Sequence, residues 1–120
     1  MPDEDKAYKR VLAWQKADEL AFACWRLARV FPPQESTLGP EIRRTALSIP
    51  SRVAVAHTLR GKSDAYPVAR DALVAVKELE QLLSFARKLK YAKDATIDKI
   101  ESLRDEVDWL LTDFYSALEL

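Results

Sequence analysis

The two residue types that most often carry chemistry occur once each in the 120-residue chain, as His57 and Cys24. A zinc site gathers three or four ligands, and one imidazole with one thiol on different segments supplies too few. A hydrolase needs a nucleophile oriented by a base. Ser48 and Ser51 precede His57, but no nucleophile elbow or oxyanion loop accompanies them. Glu78 and Glu80 are two apart, which on a helix turns them about 160° from each other and excludes a paired-carboxylate site. The Glu-x-x-His pattern of di-iron bundles is missing too. These residues predict no enzyme, no metal and no cofactor.

Charged groups are the next candidates. Arg43, Arg44, Arg52 and Arg60 invite a phosphate-binding reading, yet helical spacing scatters them around the axis. Ion-paired or solvated arginines fit better. Arg43 or Arg44 is expected to pair with Glu78 or Glu80 across two helices, setting register more than adding stability. A local basic knot follows at Arg87, Lys88, Lys90 and Lys93. As the alternative function, an RNA- or DNA-binding accessory protein would use Arg43, Arg44, Arg52, Arg87, Lys88 and Lys90. Against it, 19 Lys/Arg balance 19 Asp/Glu, and backbone recognition of nucleic acid rests on summed positive charge. The charge is unevenly spread. Residues 1–60 carry 10 bases against 7 acids, and residues 61–120 carry 9 against 12.

The elements that must position these groups are helices. Four successive segments repeat an apolar residue every three to four positions, without β-type alternation. The first runs over about 11–30 with Ala13, Ala17, Leu20, Ala21, Cys24, Leu27 and Ala28 inward, and Phe31-Pro32-Pro33 ends it. The second, about 40–59, turns Ile42, Ala46, Ile49, Val53 and Ala54 inward. Pro50 in its middle is expected to bend or break it, with Ser48 or Ser51 as local partners. The third opens at Ser63 or Asp64, with Asp64 as cap and Pro67 in its first turn, and continues to about Lys90. The fourth is capped by Asp94 or Thr96 and carries Ile100, Leu103, Val107, Leu110, Phe114 and Ala117. His57 projects onto the apolar side of the second helix. Short connections make neighbours antiparallel, so the prediction is an all-α, up-down-up-down four-helix bundle, kinked at the proline of its second helix. Residues 1–10 read as a flexible acidic N-terminus, where Pro2-Asp3-Glu4-Asp5-Lys6 has nothing to bury, and 11–120 as one bundle domain. No apolar run suggests a secretory signal or a membrane span, and a lone cysteine fits a reducing, cytoplasmic setting.

Apolar surface exceeds what one stripe needs. On the third helix, the residues from Leu89, Leu82, Ala75 and Val68 round to Leu73 fill an arc of roughly 200°. The edge formed by Val68, Ala75, Leu82 and Leu89 is therefore an oligomer-interface candidate. Phe22 and Trp25 lie outside the first helix's stripe. Trp109 projects from the fourth among Asp98, Asp105, Glu106 and Asp113, a face suited to a basic partner and not to phosphates.

The stretch Ile42-Arg43-Arg44-Thr45-Ala46-Leu47-Ser48-Ile49-Pro50-Ser51-Arg52-Val53-Ala54 resembles the signature of the four-helix-bundle family first noticed as reading frames in intervening sequences of bacterial 23S ribosomal RNA genes. Trp14-Gln15-Lys16-Ala17, Phe31-Pro32, Glu78-Leu79-Glu80, Leu89-Lys90-Tyr91, Glu106-Val107 and Leu110-Leu111 keep the family order. The chain departs at Arg52, where the family usually has asparagine, and at Ala54-Val55-Ala56, where it usually has Ala-Glu-Gly. The resemblance implies a small cytosolic bundle, often a ring of five, with no established enzymatic activity. A similar bundle, basic and nucleic-acid-binding, is the accessory protein of diversity-generating retroelements. The reading that results is a non-enzymatic homo-oligomer, a scaffold or adaptor in a pentameric ring, with itself or another protein as partner and no membrane.

Overall fold

In the computed structural model, residues 7–59 and 61–118 are described. A single 3-10 turn, Ala7–Arg10, leads into four helices: α1 (Leu12–Ala28), α2 (Leu38–Thr58), α3 (Lys62–Lys88) and α4 (Asp94–Ala117). No strand occurs among the described residues. The acidic start at 1–6 and Arg60 lie outside them. Residues 7–10 fold back on the bundle, with the Tyr8 ring edge-on to Trp14 at 5.2 Å.

Each long helix meets two others, α1 with α2 and α4, and α3 with α2 and α4. Tyr66 near the start of α3 stacks on Tyr115 near the end of α4. Phe31 beyond α1 meets Tyr91 beyond α3. Large apolar residues fill the centre, with Leu20, Ile42, Ile49, Leu79, Leu83, Ile97 and Leu111 without exposure. Each such side chain contributes about 1.5–3 kcal/mol by leaving water. Alanines line the early turns of α3, where Ala65 and Ala69 with Ala56 of α2 form a second small cluster.

The helix ends differ from the sequence expectation by a residue or two. α2 runs unbroken through a buried Pro50. The proline withholds a donor from Ala46, while the Ser48 hydroxyl donates to the Thr45 carbonyl at 2.7 Å. α3 is capped by Gly61, so Asp64 lies in the first turn instead of capping it, and Pro67 falls in the second. α4 is capped by Lys93 and begins at Asp94. α2's capping partner comes from upstream. The Glu35 carboxylate accepts from the Thr37 and Leu38 amides, and from the Tyr91 hydroxyl at 3.2 Å. α3 ends in a Schellman motif. Tyr91 N–H donates to Ala86 and Lys90 N–H to Arg87, with Lys90 in the left-handed region at φ 59°. No described helix is long and apolar enough to cross a membrane.

Candidate functional site

The residues with catalytic potential do not converge. His57 is exposed, not turned to the apolar side as expected; the α2 stripe ends on Ala56, and the imidazole lies 6.5 Å from the Phe114 ring. Ser48 is spent on the backbone and Ser51 faces solvent. Cys24 has no exposure, and burial, then the nearby Glu101, pushes its thiol up to about 12. Among the described residues no group of three potential metal ligands forms.

The surfaces are more eventful. Along α1, Phe22 is 64% exposed and Trp25 47%; Leu47 of α2 is 55% exposed. With Asp18, Glu19 and Ala21 they line an open groove of about 480 Å³. Its rings are held in place by cations. The Arg43 guanidinium lies 4.5 Å over the Trp25 ring and donates through Nη2 to the Trp25 carbonyl at 3.0 Å. Arg26 sits 5.5 Å over Phe22. On α4, Trp109 is 70% exposed.

The α3 edge is different. Ala75 is buried inside the subunit, and Val68 and Leu82 are half-buried against its own core; Leu89 alone of the four is exposed. That edge is covered because α3 meets both α2 and α4 and needs a stripe wide enough for two neighbours. Its exposed apolar residues are instead Val74 and Phe85, eleven apart and so on one face.

The basic candidates divide by partner. Arg43 is engaged by Trp25, Arg44 by Glu41, and Arg87 by Asp94 at 3.2 Å and Asp98 at 2.7 Å. The Asp98 hydrogen bond holds the Arg87 guanidinium above its ordinary range, and the Arg44 bond holds the Glu41 carboxyl below the usual one. Arg52 lies with Arg44, Asp71 and Glu78 along the α2–α3 seam. Lys88 is exposed, and Lys90 lines a separate cleft. The six thus share no single face. The expected pairing of Arg43 or Arg44 with Glu78 or Glu80 does not form. Glu80 instead accepts from Arg104 Nη2 of α4 at 3.0 Å. Arg104, 3% exposed, is also held by Glu101 and Asp105. Its stem fills a core position, which sequence reading assigned to Leu103.

Residues 9–113 match the profile of the family described as 23S rRNA-intervening sequence protein. Among solved structures, a protein of unknown function from the S23 ribosomal protein family of Bacteroides thetaiotaomicron superposes with a TM-score of 0.82 at 20% identity. The match covers 87% of this chain and 98% of that one. At that identity the likeness carries the fold alone. No curated protein matches the chain.

Proposed function

The chain belongs to the 23S rRNA-intervening sequence protein family, and from that premise we propose that it is a non-enzymatic protein that assembles with copies of itself, serving in the cytoplasm as a scaffold or adaptor in a pentameric ring. The observation that carries this reading is the groove of Phe22, Trp25 and Leu47. Aromatic anchors beside a shallow cavity, with cations fixing their orientation, are what interface centres are made of. The core beneath is already complete without them, so their exposure serves nothing inside one subunit.

A ring needs two unlike surfaces. Trp109, with Asp105 and Asp113 one turn to either side, supplies the second. Its acids complement Arg26, which lies on the groove's Phe22 ring. Nucleic-acid binding through the six named bases gains no such support, since Arg43, Arg44 and Arg87 are occupied within the subunit.

Sedimentation velocity tests the assembly. The expected species has about five times the 13.7 kDa subunit mass, and Phe22→Asp with Trp25→Glu reduces it to the subunit while helix content is unchanged. A wild-type protein that stays monomeric at roughly 100 μM, a concentration that populates even weak complexes, overturns the reading.

A further inference from the structure

A second cleft accompanies the aromatic groove. About 840 Å³ in volume, it opens where three segments meet: the last turn of α1, the connection between α3 and α4, and the first turns of α4. Four of its lining residues are cations, Arg26, Lys90, Lys93 and Lys99, and none is acidic. Among the described residues none of the four enters an ion pair, whereas Lys16, Arg44, Lys77, Arg87 and Arg104 all do. Asp94 and Asp98 at the start of α4 are both taken by Arg87, and Glu19, which lines a neighbouring hollow with Lys99, pairs with Lys16. In a chain whose acids and bases balance, this is a local surplus of positive charge around a concavity, and such a shape concentrates anions.

The backbone holds that arrangement in place. Lys90 occupies the left-handed position that favours glycine, fixed there by the two Schellman hydrogen bonds. Lys93 caps α4, whose first amides have no partner within the helix. Thr96 lies on the same lining. The rest of the wall is apolar, with Leu27, Ile100 and the 63% exposed Val30, and Tyr91 joins them with its hydroxyl directed to Glu35. A bare inorganic anion would use the cations and leave this wall wet. A ligand with a charged end and a flat body uses both, and the volume suits one.

We infer that this cleft binds a nucleotide, its phosphates on Lys90, Lys93 and Lys99 and its base against Val30 and Tyr91. The site is built within one subunit and does not depend on the ring. The shared chemistry admits two sources, a free nucleotide or a unit of single-stranded nucleic acid.

Titration calorimetry on the full chain, with AMP, ADP, inorganic phosphate and single-stranded oligonucleotides of two to ten residues, tests the site. Saturable nucleotide binding is expected, at least about tenfold tighter than inorganic phosphate, because the base adds contact that phosphate lacks. Affinity should fall with salt. Lys93→Glu with Lys99→Glu should weaken it at least about tenfold by reversing two charges on the anion's side, whereas Lys62→Glu at the start of α3 should leave it unchanged. Affinity that climbs with strand length assigns the site to nucleic acid, and affinity equal to that of the mononucleotide assigns it to the free compound. The inference is overturned if no nucleotide saturates, if inorganic phosphate binds as tightly as ADP, or if the double lysine variant binds like wild type. Sedimentation of the same samples reads assembly separately, so either idea can fail without the other.

Discussion

Among the described residues Arg104 is the buried charge, at the inward spacing 97, 100, 104, 107, 111 along α4. Three carboxylates from Glu80, Glu101 and Asp105 surround its guanidinium, while its Nη1 and the Glu101 Oε1 are buried without a hydrogen-bond partner in the described structure. Removing the cation strands Glu101 and Glu80 in a poorly hydrated seam, so Arg104→Ala should cost about 3 kcal/mol in urea denaturation. Arg104→Met combined with Glu101→Gln should recover most of that loss, since the stem's volume returns and the orphaned charge goes. A polar type hid this position from sequence reading. Arginine is seldom fully buried, and the heptad spacing that marked it becomes persuasive only when acids from a second helix surround it. Glu35 was equally silent, because a carboxylate two residues before the cap signals nothing until the loop folds back. Its backbone bonds from Leu38 and Thr37, with Tyr91 adding, hold its carboxyl below the usual range. A lowered folded value means stability that is present above the ordinary carboxylate pKa of about 4.3 and lost as pH falls through the folded one. Glu35→Gln should therefore flatten the loss of urea resistance between about pH 5 and about pH 3.

At the level of elements, the end of α3 makes the sharpest statement. Lysine in the left-handed region bears a steric cost that glycine escapes, and the Schellman bonds keep Lys90 there. Lys90→Gly should raise folding stability by about 1 kcal/mol, read from the urea midpoint, while removing one cation from the cleft. Helix existence and order were legible because each stripe repeats at the helical period, and α1's inward set is nearly the one predicted, with Ala28 only half-buried. Boundaries shifted where the capping group was not the residue type that usually caps, as with Gly61 and Lys93. The misjudged edge of α3 has a geometric cause. An angular projection says which residues share a face, but not how many helices that face will meet. Val74 is flanked one turn away by Arg70, Asp71, Lys77 and Glu78, and Phe85 lies among Leu82, Leu83 and Ala86, so neither stands out from its neighbours in the sequence.

For the molecule as a whole, stability and surface separate cleanly. Leu83 is without exposure at the centre, and Leu83→Ala should cost about 2–5 kcal/mol through lost burial and the cavity left behind, with assembly affected only through unfolding. Trp25→Ala should do the reverse, reducing assembled mass and freeing Arg43 while the melting temperature of the subunit changes little. Function was the least legible scale: the aromatic groove and the basic cleft each combine side chains from two or three segments, and only folding brings those together. The sequestered thiol of Cys24, held up to about 12 by burial and Glu101, has a practical consequence. The thiolate is the group that attacks a disulfide reagent, so in the native state the reaction must wait for the subunit to come apart. Colour release from an aromatic disulfide then becomes a clock for breathing of the bundle. Run at low and high protein concentration, the same clock shows whether neighbours hold one another shut.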